Sequence, residues 1–498
     1  MMPAASSVKH PGPFMKKKLL FALVVALPLA YAGASWHLGQ RIEASHDKQA
    51  AQYASGLPNV KLIKREYQRG VFSSTETVTM ELMGDVARAM ADAGQAGMKP
   101  LLLTVRTDIR HGPWLGGGLF DAGLARSELV LEGEAAQAVR KVFGDNKPLS
   151  VRTVYHFAGG GHSDVDSPAF KWDIASEDPA DALQIAWDGL HLEVDFEEGM
   201  TRYTMKGQAP RLELSDAAGG RAVIAGMALS GEQARLFDDE PLLYSGSQRF
   251  TIDSISVSDP DGRLPRMDAA KLVYGVDITR DGDFIDGVAR IASERMKVQD
   301  HDYGPAHYDF SMRHLHARTA ARLYRGFLEA TSDPATMNDP AALQARMGTL
   351  MGPAIELLGH APVLSIDRLS FSTPEGPASL NARVSLSGVT PDDFANPLGL
   401  LARLDASGAL SLPENLVRGL LVERSRAQVL QIVGEDADPD EVNAYAQSQY
   451  EQQIAPLLER GYVTRDQGQL ALRLAFAKGQ LTVNDKPFDP AALQAPEQ

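Results

Sequence analysis

Along most of this chain apolar and polar residues alternate one for one. Leu101, Leu103, Val105, Thr107 and Ile109 fall on one side of an extended backbone, and Thr104, Arg106, Asp108 and Arg110 on the other. The alternation recurs over Leu149 to Phe157, Leu190 to Phe196 and Leu272 to Ile278. A period of two predicts strands with one dry and one wet face. Asp261-Gly262, Asp281-Gly282 and Gly159-Gly160-Gly161 punctuate the runs. Asp-Gly between alternating segments is a hairpin signal. The connections are too short for crossover helices, so the strands between 60 and 316, roughly a dozen by this pattern, pair antiparallel.

Near Ala317 the period lengthens. Ala320, Leu323, Tyr324, Phe327 and Leu328 share one side of a helix, and a second helix is expected from Pro340 to Leu358. Alternation returns at Leu380 to Leu386. Helices follow over Glu414 to Ile432 and Pro439 to Arg460, the latter opening on Asp438-Pro439, an N-cap with proline at the first helical position. A terminal hairpin places Leu470 to Phe476 against Leu481 and Val483 across Lys478-Gly479.

One segment obeys neither period. Lys16, Lys17 and Lys18 precede an uncharged run from Leu19 to Trp36. A run of about 20 apolar residues can span a bilayer, and lysines on its near side keep that side in the cytoplasm. The remainder would then lie in the periplasm. Ala30-Tyr31-Ala32 and Ala32-Gly33-Ala34 also suit a cleaved signal peptide. Continuation of the run through Trp36, an interface-type residue, favours the uncleaved anchor. Met15 is an alternative start, and what precedes it reads as an unstructured extension.

These readings order the chain as an extension (1–15), a membrane anchor (16–40), a linker helix (41–56), an antiparallel sheet (57–316), helices (317–362), strands (363–412), helices (413–460) and a closing hairpin with a tail (461–498). The expected class is β-rich α+β: an extended, curved antiparallel sheet with helical segments and one transmembrane helix.

The chain has 498 residues and a net charge of −15. Four lysines and no acid fall in the first 36, so the remainder carries −19, four below the whole chain. Such a surface repels nucleic-acid backbones. With no cysteine, disulfides, thiol catalysis, Cys-based metal sites and lipoprotein attachment are all excluded.

Candidate chemistry is sparse. His301, His307, His314 and His316 are the one concentration of histidines, and His314 and His316 at i, i+2 could hold a metal if a third ligand arrived. A strand-end role is the plainer reading. Asp281, Asp283 and Asp286, and Asp436, Asp438 and Asp440, depart from the EF-hand pattern; the second set has Glu441 where glycine is needed. Gly116 to Gly118 and Gly159 to Gly161 lack the following Lys-Ser or Lys-Thr of a phosphate loop. His111, between a strand and a glycine-rich loop, could serve as a base; closing the strand is the plainer role. No catalytic, cofactor or metal site is assigned, and the protein is expected not to be an enzyme.

Three short segments carry a family likeness. They are YQRGVFSS at Tyr67 to Ser74, with Tyr67, Arg69, Gly70 and Phe72; DIRHGPW at Asp108 to Trp114, with His111, Gly112 and Pro113; and KGQLTVN at Lys478 to Asn484, with Gly479 and Gln480. In order and spacing the chain resembles the YdgA-like family of bacterial envelope proteins. The resemblance implies an inner-membrane anchor, a periplasmic body and no catalytic residues to transfer. It also implies that Tyr67 to Ser74 opens the first strand, with Phe72 buried on the sheet. The long sheet resembles in architecture the AsmA and TamB type, whose sheets form apolar troughs for lipid. A groove here would be lined by Leu103, Val105, Leu192, Val194, Tyr274, Val276, Tyr308 and Phe310. The expected function is binding of lipid or another apolar ligand in envelope maintenance. The alternative is a homo-oligomeric scaffold in which the same face is a packed core.

Overall fold

The computed structural model describes residues 13–56, 60–82, 101–131, 133–176, 182–240, 243–260, 262, 264–332, 339–395, 397–433 and 438–488; for 13–26, 51–56, 101, 134–135, 331–332, 391, 395, 397–398, 430–433 and 439 it gives the backbone alone. The chain divides into two compact units. One comprises Met1–Ser167 with Glu193–Thr201, the other Pro168–Leu192 with Arg202–Gln498. The division falls inside the stretch read from sequence as one sheet.

The first unit begins with a helix, α1 (Pro13–Gly56), unbroken across the anchor and linker segments. Strands β1 (Val60–Arg69), β2 (Ser73–Leu82), β3 (Leu101–His111), β4 (Trp114–Gly116), β5 (Leu119–Phe120), β6 (Gly123–Val130), β7 (Ser150–Tyr155) and β8 (Gly161–Ser167) follow. β1, β2, β3, β6, β7 and β8 pair in that order, all antiparallel, and β4–β5 is a separate small hairpin. Helix α2 (Gly133–Phe143) links β6 to β7. The alternation pattern missed it because only eleven residues carry its period. Lys16, Lys17, Lys18 and Leu19 have helical backbone, but their side chains lie outside the described residues. Among the described residues no helix is long and apolar enough to cross a membrane.

The second unit holds β9 (Phe170–Ile174), β10 (Leu183–Trp187), β12 (Arg202–Asp216), β13 (Arg221–Arg235), β14 (Tyr244–Ser258), β15 (Met267–Asp281), β16 (Phe284–Ser293), β17 (Arg295–Val298), β18 (His301–Tyr303) and β19 (Ala306–His316). Strand β11 (Leu190–Phe196) contributes its first three residues here and the rest to the first unit. Then come α3 (Ala317–Ser332), α4 (Pro340–Thr349), α5 (Met351–Gly359), β20 (Val363–Thr373), β21 (Gly376–Leu386), α6 (Pro391–Ala395), α7 (Pro397–Arg403), β22 (Leu404–Pro413), α8 (Glu414–Val433), α9 (Pro439–Glu459), β23 (Thr464–Asp466), β24 (Gln469–Ala477), β25 (Gln480–Val483) and β26 (Lys486–Pro487). The long strands from β12 to β24 pair with their neighbours in one antiparallel series.

Register sorts the side chains of this series. Phe250, Tyr274, Ile291, Tyr308, Leu369, Leu380, Leu410 and Leu472 stand directly opposite one another across eight strands. Val276, Ala289, Phe310, Ile366 and Ala382 form a parallel row two residues along. The opposite face is polar, with Arg290 paired to Asp277. The apolar rows are not enclosed: Tyr274 is 45%, Ile291 47% and Tyr308 38% exposed.

Two small cores involve the helices. Leu236, Ile285, Leu315 and Ala317 pack together with Leu357 of α5. Val422 of α8 packs against Ala446, Tyr450 and Ile454 of α9, and the Tyr450 hydroxyl donates to Glu414 at 3.0 Å. Helix α9 starts where Asp438 accepts from the Asp440 amide at 2.9 Å. Asp438→Ala should therefore cost about 1 kcal/mol in thermal unfolding; no change would show that the cap is not needed.

Candidate functional site

The alternation within the first unit brings polar groups onto the face that α1 covers. Ser74, Ile109, Ala125 and Thr153 stand opposite one another across four strands, as do Glu76, Thr107, Ser127 and Val151. Over this face lie Ser35, Leu38, Gly39, Ile42 and His46, spaced so that they share one side of α1. Ser35, Leu38 and Ile42 are buried, and Ile42 packs with Ile109 and Ala125 against Tyr67 and Tyr155.

Missing side chains set how closely helix and sheet approach. A Cβ built on Gly39 would lie 2.4 Å from the His111 ring, and one on Gly123 would lie 2.4 Å from Ile42. On Gly112 it would lie 1.8 Å from the Asp121 carbonyl oxygen, which closes the turn after β3. The sequence reading missed this joint because the docking side of α1 is built from small and polar residues. The spacing of Ser35, Leu38, Gly39 and Ile42 was the available signal.

Hydrogen bonds complete the joint. His111 is 2% exposed. Its Nδ1 lies 3.0 Å from the Val71 carbonyl, which only accepts, so Nδ1–H donates and Nε2 accepts from the Ser74 hydroxyl at 2.7 Å. Burial lowers the His111 pKa, the Val71 bond opposes this and Arg69 adds to the lowering, so the ring is held neutral. A serine beside a histidine could suggest a nucleophile and its base. Here the pair is sealed beneath Gly39, and the second ring nitrogen meets a backbone carbonyl instead of a carboxylate.

Glu76, 5% exposed, is also buried in this joint. His46 Nδ1–H donates to it, Arg65 Nε donates at 2.5 Å, and Arg65 also reaches Asp47 at 2.6 Å. Burial would raise the Glu76 pKa, but the bonds and charges of His46 and Arg65 outweigh it and hold the carboxyl low. His46 Nε2 meets the Tyr155 hydroxyl at 2.7 Å. Arg69 pairs with Glu43 at 3.0 Å and stacks on Trp36 at 5.3 Å.

A cavity of about 370 Å³ adjoins His46. Leu62, Val78, Met80, Val105 and Val151 line it, with Glu76 and Tyr155 also on its wall. His46, Gln49, Ser127 and Thr153 complete a mixed lining, and the Glu76 carboxylate on it is paired with His46 and Arg65.

Of the residues singled out from sequence, Tyr67, Arg69, Gly70, Phe72, His111, Gly112 and Pro113 meet at this joint. Tyr67 and Arg69 end β1, Gly70 donates its amide to the Ser73 carbonyl at 2.8 Å, and Ser73 opens β2. The segment is thus a hairpin turn, not the opening of the first strand. Phe72 is 53% exposed instead of buried, because the turn carries it past the sheet edge onto Tyr31, ring to ring at 5.9 Å. Gly479 and Gln480 lie in the other unit, at the β24–β25 turn. Val105 lines the cavity and Leu103 is half-buried opposite Met80. Val194 in the first unit and Leu192 in the second are half-buried. Tyr274, Val276, Tyr308 and Phe310 stand on the open face of the second unit's sheet.

The histidine pair read from sequence does not form. His314 sits at a bulge with φ of 57°, bonds to Asp286 and stacks on Phe284 at 4.1 Å. His316 stacks instead on His360 at 4.4 Å. With Glu356 these two bring ligand atoms within 4.8 Å of one another, while Arg322 holds the Glu356 carboxylate at 2.7 Å.

Two predictions follow from the joint. In an open helix Gly→Ala stabilises by up to about 1 kcal/mol. Gly419→Ala in α8, with no atom within 4 Å of the added Cβ, should show that gain. Gly39→Ala should instead lower stability by about 1–3 kcal/mol, because its methyl enters the His111 ring. Equal gains from both would remove the close-packed joint.

Acidification tests the buried polar groups. His111 and Glu76 both release protons more readily folded than unfolded, so the unfolded chain binds more protons and these groups lose stability as the pH drops. The His111 contribution is complete above its ordinary value of 6.5 and declines below it; that of Glu76 declines below 4.5. Glu76→Gln should destabilise at pH 7 and flatten the limb below 4.5. An acid limb as steep in Glu76→Gln as in the parent would contradict this assignment.

A family model described as bacterial protein of unknown function (DUF945) matches residues 15–491. Protein YdgA of Escherichia coli (strain K12) is 20% identical over 496 residues, covering 94% of this chain and 94% of that protein. No solved structure matches the chain. The match spans both units and both motifs of the joint, and the chain belongs to this YdgA-like DUF945 family of bacterial proteins of unknown function.

Proposed function

We propose that α1 holds this protein in the bacterial inner membrane, with its body in the periplasm, and that the second unit's sheet binds acyl chains or another apolar ligand. The open apolar face carries this reading. A row of large side chains crosses eight strands, and Tyr274, Ile291 and Tyr308 within it are more than a third exposed. At a strand spacing of about 4.8 Å the row is about 34 Å long. That is close to the roughly 30 Å hydrocarbon thickness of a bilayer, a length suited to lipid chains. A continuous apolar surface of this extent needs an occupant in water. The retained anchor is supported by Lys16 to Lys18 before the uncharged run, and by the contacts that Tyr31, Ser35 and Ile42 make with the body. No step in this role requires catalysis.

Lipid extracted with the full-length protein in polymer-bounded bilayer discs, identified by mass spectrometry against empty discs, tests the ligand. Val276→Arg should keep the melting temperature near that of the parent and deplete the bound lipid, because an arginine on an open face can send its head into water. In a filled core that charge would be buried without a partner and the fold would be lost. Loss of expression in Val276→Arg would overturn the groove. A change of oligomeric state with no bound lipid would leave the scaffold reading.

A further inference from the structure

The first unit gathers exposed apolar side chains where the uncharged run of α1 meets the body. Val71 and Phe72 in the β1–β2 turn are 43% and 53% exposed, Trp114 and Phe120 in the β4–β5 hairpin 55% and 63%, and Phe157 after β7 40%. Three separate turns supply them, and contacts hold those turns together. Phe120 packs on Phe157 at 5.5 Å. Phe72 stacks on Tyr31 of α1, and the Tyr31 hydroxyl donates to the Trp114 carbonyl at 3.1 Å. Arg41 of α1 donates to the Phe157 carbonyl at 2.9 Å. Just before Tyr31, Leu27 and Leu29 are themselves 63% and 68% exposed. An exposed apolar patch of this kind marks an interaction surface.

The geometry points to a lipid bilayer as the partner: we infer that these three turns form a collar seated in the interfacial layer of the membrane that holds α1, fixing how the body stands on it. The inference rests on the anchor reading above. Its carrier is continuity, since the patch adjoins the last turns of an uncharged run that ends at Trp36. Tyr31 lies five residues before Trp36, about 7.5 Å along the helix. That matches the roughly 5–10 Å to which apolar side chains enter the headgroup boundary. Tryptophan and phenylalanine suit that layer, and the hairpin tip, Gly116-Gly117-Gly118, adds no charge to it. His111, Gly112 and Pro113 would then serve to aim the hairpin that carries Trp114 and Phe120.

The absence of cysteine makes the test direct. Single cysteines are introduced by Phe120→Cys, Gly117→Cys and, after α2 at the other end of the sheet, Asp145→Cys. Each is labelled with an environment-sensitive fluorophore in the full chain, reconstituted in phosphatidylethanolamine–phosphatidylglycerol vesicles. Flotation with the vesicles and resistance to alkaline extraction read the anchor. Quenching by lipids spin-labelled near the headgroup reads the collar. The expected result is flotation, with severalfold stronger quenching at Phe120→Cys and Gly117→Cys than at Asp145→Cys. Flotation with equal, weak quenching at all three sites would overturn the collar and leave the anchor standing. Failure to float would remove both.

Discussion

An antiparallel sheet with one apolar face is unstable in water until something covers that face, and this constraint shapes both units. In the first, part of the cover is helix α1, laid across β2, β3, β6 and β7 so closely that glycine at 39 and 123 is a steric requirement. In the second, the small cores around Leu315 and Tyr450 use the helices for other contacts, and the row through Tyr274, Ile291 and Tyr308 remains open. Leaving such a row in water forfeits burial worth about 25 cal/mol per Å². A ligand on that face would recover it.

The cover in the first unit is itself unusual, because much of what it buries is polar. Ser74, Glu76, Thr107, His111 and Thr153 sit beneath or beside α1. Burying such groups costs stability unless each finds a partner, and these do: Ser74 with His111, Thr107 with Ser127, Thr153 with Ser163, Glu76 with His46 and Arg65. Helix and sheet therefore fit in one register. Sliding α1 by a turn would leave Glu76 without His46 and put a side chain larger than Gly39 against the His111 ring. Polar burial here specifies position, where apolar contact alone would tolerate slippage.

Much of the fold was legible in the alternation itself. Leu190 to Phe196, Leu272 to Ile278 and Leu470 to Phe476 are strands, Lys478-Gly479 is a hairpin turn, and Asp438 caps its helix. These features depend on local chemistry, which a single sequence carries. What was not legible depends on distant residues. Phe72 is expected to be buried on the sheet as part of the Tyr67 to Ser74 motif, yet the turn at Gly70 turns it toward Tyr31, 41 positions earlier. His314 and His316 read as a pair at i, i+2, but a bulge opposite Asp286 separates them and His316 finds His360 instead. Alternation shows which side of a strand is dry. It does not show whether helix, ligand or bilayer keeps it dry, and the open rows around Tyr308 could not be told from a filled core.

The segments singled out in the sequence gain a physical meaning from the same geometry. Arginine at 69 stacks on Trp36 and pairs with Glu43. Glycine at 70 closes the turn that presents Val71, whose carbonyl accepts from His111. His111 in turn holds Ser74, and its own carbonyl accepts from Ser35 of α1 at 3.4 Å. Glycine at 112 lets the chain pass the Asp121 carbonyl into the hairpin. Each residue is required by the one before it, in a chain of contacts from helix to turn to strand and back. A motif of this kind resembles a catalytic signature in sequence, since it joins serine, histidine and arginine at fixed spacing. In three dimensions His111 and Ser74 are buried and bonded to each other, and the His111 carbonyl accepts from Ser35, so these groups tie α1 to the sheet.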